Sequence, residues 1–369
     1  MSFVKVLERY RDFDFEAHRD NLTLAQIDMI LAKERISDMD FLSLLFPVAA
    51  NRLEAMAQKA ESITRRHFGR VVTLFTPMYI SNFCENTCAY CSFARQRAIV
   101  RRQLSFDEIS EEARRISESG IRHILVLTGE SRSKASLSYL SESIRIIKEK
   151  FSSVSIETYP LKEEEYRLLI NQGVDGLTIY QETYHEPSYH CFHRGGPKDD
   201  FQFRLEAPDR ACRQGMRTVS VGALMGLSKI ERDAFFTGLH ARYLQRNYPR
   251  TEVSISFPRI RPLAGDFVPP FPIPDALFVQ IIAAMRIFLK SAGITISTRE
   301  SRQLRNGLLP FGVTKMSAGV STAVGGHSEK PSTTQFEIAD PRSVDEMKSD
   351  LLSMGFQPVM QDWNSRFLS

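Results

Sequence analysis

Residues 1–70 carry apolar side chains at helical spacing: Leu22, Leu24, Ile27, Ile30 and Leu31, then Leu53, Met56, Ala57, Ala60 and Ile63. From Val71 the pattern changes to β-rich apolar runs that alternate with helical stretches. Strands are predicted at 71–79, 123–128, 154–159, 177–181, 218–223, 253–258, 294–298 and 313–317. The helices between them have readable ends. Ser105 and Glu108 form a capping box and Gly120 a stop; Gly173 ends the helix through Tyr166 and Ile170. Leu137, Leu140, Ile144 and Ile147 mark another helix, and Asp275 is expected to cap a helix over 276–292.

Eight strands alternating with helices over about 250 residues predict an α/β protein, a (β/α)8 TIM-type barrel. A doubly wound sheet is disfavoured because the first strand lacks a glycine-rich dinucleotide turn. The expected organisation is an N-terminal helical extension (1–70), the barrel (71–322) and a C-terminal loop and helix packing on it (323–369). In that tail Ser343 and Glu346 make a second capping box, Gly355 is the stop, and 325–340 reads as a polar, mobile loop.

Composition changes this picture little. Among 369 residues, 43% are hydrophobic and 25% charged, as in globular proteins without a disorder signature. A net charge of +4, with bases and acids interleaved, argues against nucleic acid. No apolar run approaches a membrane span. The N-terminus lacks a signal-peptide pattern, and three of five cysteines fall within eight residues. That usage fits a reducing, cytoplasmic setting better than a disulfide framework.

Those three cysteines carry the chemistry. Cys84-Glu-Asn-Thr-Cys88-Ala-Tyr90-Cys91 has C-x3-C-x2-C spacing. Three thiolates this close can hold an iron–sulfur cluster and leave one iron of a cubane open. Zinc is the alternative, but a closed zinc site needs a fourth ligand and no second cysteine pair exists. Polar or glycine residues also close every predicted strand, where a barrel gathers its function. They include Thr128-Gly129-Glu130, Glu157, Glu182, Gly222, Arg259 and Arg261, Arg299 and Glu300, and Ser317.

The triplet, with an aromatic residue before its last cysteine, resembles the signature of the radical S-adenosylmethionine enzymes. Within them the chain is similar to the aromatic amino-acid lyases, most of all the tyrosine lyases of thiamine biosynthesis. The resembling stretches run from Tyr79-Ile-Ser-Asn-Phe-Cys84 and Val126-Leu-Thr-Gly-Glu130 through Val154-Ser-Ile-Glu-Thr-Tyr-Pro-Leu161 to Tyr180-Gln-Glu-Thr-Tyr-His-Glu186. They continue with Phe203-Arg-Leu-Glu-Ala-Pro-Asp-Arg210, Val221-Gly-Ala-Leu-Met-Gly-Leu-Ser228 and Ser256-Phe-Pro-Arg-Ile-Arg-Pro262. Ser297-Thr-Arg-Glu-Ser301 and the tail Gln361-Asp-Trp-Asn364 complete them.

The resemblance implies that Cys84, Cys88 and Cys91 hold a [4Fe–4S] cluster, whose open iron is chelated by S-adenosylmethionine. It implies Tyr90 against the adenine, Thr128, Gly129 and Glu130 around the methionine ammonium, and Glu157 at the ribose hydroxyls. Arg204 is expected at the cofactor carboxylate, and Gly222 and Gly226 at the adenine. For L-tyrosine, Arg299 is expected to take the carboxylate, with Glu300 and Ser317 nearby and Arg259 and Arg261 as alternatives. The implied reaction is radical cleavage of the Cα–Cβ bond to 2-iminoacetate and p-cresol. The implied partners are a thiazole synthase and a flavodoxin or ferredoxin donor. A tryptophan lyase and a non-catalytic cluster carrier are the competing functions. A hydrogenase-maturing relative with an extra C-terminal cysteine motif is disfavoured, because no cysteine follows Cys212.

Two clusters are set aside. His185, His190, Cys191 and His193 resemble a histidine-rich loop that is no metal site. Arg95, Arg97, Arg101 and Arg102 read as a solvated face or a docking surface for an acidic electron donor.

Overall fold

The strands that the hydrophobic pattern predicts close into a parallel barrel. The computed structural model describes residues 2–261, 267–328 and 333–361; Pro262 and the tail residues Asp362, Trp363 and Asn364 lie outside them. Eight strands form the wall: β1 (Val71–Ser81), β2 (His123–Thr128), β3 (Ser153–Glu157), β4 (Gly176–Glu182), β5 (Thr218–Ala223), β6 (Glu252–Ser256), β7 (Gly293–Ile296) and β8 (Lys315–Ser317). Each pairs in parallel with the next, and β8 returns to β1 through Thr73–Lys315 and Phe75–Ser317. A ninth strand, β9 (Gln357–Val359), pairs with the first three residues of β1. The pattern of the tail predicts a loop and a helix and misses it, because three residues are too few to establish alternation.

Helices between the strands shield the outer wall. Outward residues such as Val219, Val221, Val253, Ile255, Ile294 and Ile296 are buried beneath them. Along β5–β7 the inward residues Thr218, Ser220, Ser254, Gly293 and Thr295 stay partly accessible instead. A barrel interior is ordinarily packed with branched apolar side chains, so this one is built to be wet.

The expected helix starts at Ser105 and Ser343 carry full capping boxes with Glu108 and Glu346. Asp275 is not a cap. It is the first residue of the helix Asp275–Phe288, which Pro274 precedes, and its carboxylate accepts from Arg259 at 2.7 Å. That helix stops four residues early because the buried Arg286 guanidinium gathers the carbonyls of Leu289, Lys290 and Ala292. The N-terminal helices pack on this side of the barrel, with Phe41 stacked on Phe288 at 4.1 Å.

The C-terminal segment is joined to the barrel by buried charge. Asp340 and Arg305 both have fully buried side chains and pair with each other, and Arg342 adds a second bond to Asp340 at 2.5 Å. Arg305 also donates to the Ser317 carbonyl at the end of β8. Within 325–340, Gln335 accepts from the Tyr79 hydroxyl at 2.7 Å and the Ala339 amide donates to Thr298. Arg305→Ala would leave Asp340 buried with Arg342 as its remaining side-chain partner, and should lower the unfolding free energy by about 3 kcal/mol, read from urea melts.

Candidate functional site

A cavity of about 180 Å³ opens at the C-terminal ends of the strands. Cys84, Cys88 and Cys91 stand on its wall, on the loop that follows β1. That loop has no regular structure, so side chains staple it. Asn82 donates to the Val100 carbonyl at 2.9 Å and accepts from the Arg102 amide at 2.7 Å. Arg101 donates to the carbonyls of Asn82, Phe93 and Ala94, each at 2.7 Å. Arg97 donates to Ala89, and Arg102 pairs with Glu108. Of the four arginines read as a solvated face or a docking surface for an acidic electron donor, only Arg95 is exposed; the others brace the loop.

Burial raises the pKa of all three thiols, Cys91 to about 11. They are therefore protonated at neutral pH until a metal takes their place, and cluster uptake must release protons. Among the described residues no group of three or more His, Cys, Asp or Glu converges on one ion.

Behind the cysteines lie four buried charges. Glu130 ends the β2 turn and pairs with Arg204 at 2.7 Å. Lys198 bonds Glu182 at 2.6 Å and reaches Glu130 at 3.7 Å, while Arg204 stands 3.5 Å from Glu182. Asn86, between the first two cysteines, donates to Glu130 and accepts from the Lys198 amide, both at 2.8 Å. Burial would raise the Glu130 carboxyl, but Arg204 and Lys198 outweigh it and hold the pKa at about 2. Glu182 is the only non-glycine residue with positive φ among those described, at 69°, which costs about 1–3 kcal/mol. The ion pairs with Lys198 and Arg204 hold it there.

Tyr90 is buried at the cavity. Its hydroxyl donates to His193 Nε2 at 2.7 Å, because His193 Nδ1–H is committed to the Tyr189 carbonyl at 2.6 Å. His193 thus positions Tyr90 rather than a metal. Thr128 lines the cavity and bonds Thr158 at 2.9 Å. Gly129 has a steric reason: a Cβ there would sit 2.3 Å from the Phe83 carbonyl oxygen. Glu157 faces the cavity too, and burial, reinforced by the charge of Glu182, pushes its pKa up to about 7.

The partners of the arginines around the cavity sort them. Arg259 bonds Glu300 at 3.0 and 3.1 Å, and Arg261 bonds it at 2.9 Å. Arg299 faces the cavity, stacks 3.6 Å over the Phe336 ring, and its guanidinium makes no ion pair or hydrogen bond among the described residues. Thr298 and Ser317 also line this cavity, and their hydroxyl oxygens are buried without a hydrogen-bond partner among the described residues. A guanidinium with no partner among the described residues has its charge and its donors left to offer an anion such as a carboxylate.

Three expected site residues stand elsewhere. Glu300 is buried behind the wall as the clamp of Arg259 and Arg261 and does not line the cavity. Gly222 packs inside the sheet, where a Cβ would lie 2.0 Å from the Ser256 carbonyl oxygen, and Gly226 turns the chain with φ 121°. Cavity contact in that region comes from Leu224. Conversely, sequence reasoning passes over Asn86, Lys198 and Thr298 and gives Glu182 no role. Only Lys198 has a nearby signal, Gly195-Gly196. A Cβ on Gly196 would lie 2.6 Å from Asn86 Oδ1, so this loop presses on the cysteine loop.

Residues 78–235 match the Radical SAM superfamily, and residues 256–357 match the Biotin and Thiamin Synthesis associated domain. Similarity reaches 37% identity to the 2-iminoacetate synthase of Escherichia coli K12, over 97% of this chain and 96% of that one. The 3-methylornithine synthase of Methanosarcina barkeri is 26% identical over 60% of this chain and 62% of its own. Among solved structures, HydG from Carboxydothermus hydrogenoformans, a maturase of the FeFe-hydrogenase, superposes with a TM-score of 0.90 at 30% identity. That match covers 99% of this chain and 86% of the other.

Two outcomes follow from this geometry. Gly129→Ala forces the end of β2 off the cysteine loop and should cut cluster incorporation, read as iron and sulfide per chain, while the barrel still folds. Because Glu157 takes up a proton on folding, its contribution to stability is full below its ordinary carboxylate pKa and is lost as pH rises through about 7. Glu157→Gln should therefore gain in melting temperature over the parent across that window, and this gain should be absent at lower pH.

Proposed function

Because the chain belongs to the 2-iminoacetate synthase family of radical S-adenosylmethionine enzymes, we infer that it cleaves the Cα–Cβ bond of L-tyrosine to 2-iminoacetate and p-cresol. The observation that carries this reading is Arg299. It is a guanidinium facing the same cavity as the three cysteines, with no ion-pair partner among the described residues. A free amino acid needs such a carboxylate anchor.

The residues present fit the cofactors of the family. Cys84, Cys88 and Cys91 would hold the [4Fe–4S] cluster. Glu130 and Arg204, already paired with each other at 2.7 Å, would exchange that pairing for the ammonium and carboxylate of S-adenosylmethionine. Thr128 and Gly129 would border the ammonium, and Glu157 would face the ribose. Tyr90, held by His193, would lie against the adenine. When bound, the cluster and S-adenosylmethionine supply one-electron chemistry that yields methionine and a 5′-deoxyadenosyl radical.

The chain's own work is binding, orientation and exclusion of water. Arg299, with the Thr298 and Ser317 hydroxyls, fixes the amino-acid end of tyrosine against one wall. Phe75, Leu125 and Leu127 give the ring an apolar floor, and the phenol hydroxyl reaches the polar groups of Tyr180 and Ser256. The ion-paired quartet keeps the opposite wall rigid, so that the hydrogen to be removed is presented at one distance. The polar product passes to a thiazole synthase, and a flavodoxin or ferredoxin delivers the electron. No helix among the described residues is long and apolar enough to cross a membrane.

Anaerobic turnover with reconstituted cluster, S-adenosylmethionine, L-tyrosine and a strong reductant should give 5′-deoxyadenosine and p-cresol together. Neither should form with Cys88→Ala. Deoxyadenosine without p-cresol would redirect the assignment to tryptophan. Arg299→Gln should raise the KM for tyrosine by about two orders of magnitude, the loss of a charge-assisted carboxylate contact. Its cluster content and S-adenosylmethionine binding should be unchanged.

A further inference from the structure

Glu182 meets Lys198 and Arg204 from a strand end that is bent. β4 pairs with β5 in regular register as far as Tyr180–Gly222 and then slips. Glu182 stands opposite Ala223, and Gln181 is the extra residue of a bulge. The Thr183 amide turns back on the Gln181 carbonyl at 2.9 Å. Glu182, with φ 69°, is therefore the centre of a three-residue turn of the rare, strained kind. Past that turn the backbone has left the β4–β5 ladder, and the amide of the buried Tyr184 needs an acceptor elsewhere.

Asp233 supplies that acceptor. It lies in the helix Ile230–Asn247 and is fully buried. Its Oδ1 accepts from the Tyr184 amide at 2.8 Å and from the Thr183 hydroxyl at 2.9 Å. The same hydroxyl accepts from the His185 amide at 3.1 Å, so one carboxyl oxygen organises three consecutive residues. Oδ2 has no hydrogen-bond partner among the described residues, and burial pushes the carboxyl pKa up to about 7. A buried carboxyl so poorly compensated costs stability. An apolar side chain would serve packing better at this position. Asp233 does not line the reaction cavity, so what it contributes there passes through the backbone it holds.

We propose that Asp233 is a positioning residue for the cofactor end of the site: by holding Thr183 and Tyr184 it keeps Glu182 in the left-handed turn that presents its carboxylate to Lys198 and Arg204. The proposal rests on the placement of S-adenosylmethionine at Glu130 and Arg204 given above, and is indifferent to which amino acid is cleaved. An anchor outside the cavity matters most at the moment of binding. When the cofactor carboxylate draws on Arg204, Glu182 keeps Lys198 at 2.6 Å as its close partner. The grip of Asp233 on the following backbone is untouched by that exchange, so the strained turn persists through it.

Asp233→Ala removes the acceptor, whereas Asp233→Asn keeps an acceptor oxygen and discards the charge. With the cluster reconstituted, the Kd for S-adenosylmethionine should rise about tenfold in Asp233→Ala and stay within about twofold of the parent in Asp233→Asn. The KM for tyrosine at saturating cofactor should stay within about twofold in both. In the cluster-free protein, amide hydrogen exchange of a peptide spanning 182–186 should accelerate in Asp233→Ala and match the parent in Asp233→Asn. A merely structural role would lower the melting temperature without separating the two ligands. A folded Asp233→Ala variant with parental Kd and exchange would overturn the proposal, as would equal weakening of both ligands. Equal losses in the two variants would do so too, because the charge rather than the acceptor would then be what the site needs. If Asp233→Ala does not fold, Thr183→Val removes one of the two donors and should raise the cofactor Kd about threefold. Failure of the parent to bind S-adenosylmethionine would overturn the cofactor placement itself, and this proposal with it.

Discussion

Four charges taken out of water together, Glu130, Glu182, Lys198 and Arg204, set the shape of the reactive end of this barrel. Each would be prohibitive alone in that environment, and removing one partner of such a set typically destabilises by about 3–5 kcal/mol. The two acids and two bases cancel, so the quartet exists only when all its members arrive. They come from the end of β2, the end of β4 and the segment around 198–204, and Asn86 ties the cysteine loop to them. The strained backbone of Glu182 persists because these partners over-determine it.

The same reasoning separates the arginines by what they have left to offer. Arg259 and Arg261 are occupied by Glu300, and Arg305 by Asp340. Arg204 is occupied by carboxylates that a zwitterionic cofactor can replace. Arg299 alone among these five faces the cavity with its hydrogen-bonding capacity unspent on described residues, so under the proposed function charge recognition falls to it. Glu300, adjacent in sequence, points the other way along the strand end and takes up its neighbours' charge. One residue step thus divides recognition from support.

The architecture was legible because alternation and capping are local: β2 and β5 coincide with the predicted strands, and both capping boxes form as read. The cysteine triplet was legible for the same reason, since its spacing is contained in eight residues. What the sequence hid is long-range. Gly195-Gly196 hints at a close approach near Lys198 but not that its ammonium lies 2.6 Å from Glu182, and Arg259, Arg261 and Arg299 look equivalent until their partners are placed. Glycine permits close approach, so sequence alone points Gly222 and Gly226 at a ligand. In the fold the close neighbours are the protein's own backbone and side chains. The ninth strand was invisible because pairing with β1, rather than its own three residues, makes it a strand.

That ninth strand also dates the enzyme's maturation. β1 leads directly into the cysteines, yet two of its three pairing partners, β8 and β9, are encoded 240 or more residues later. While the ribosome is still working, the cluster loop hangs from a strand that lacks them. The barrel cannot close until β8 emerges, and β1 is fully paired only once β9 follows. A nascent chain stalled before Lys315 therefore presents the three thiols on an unfinished wall.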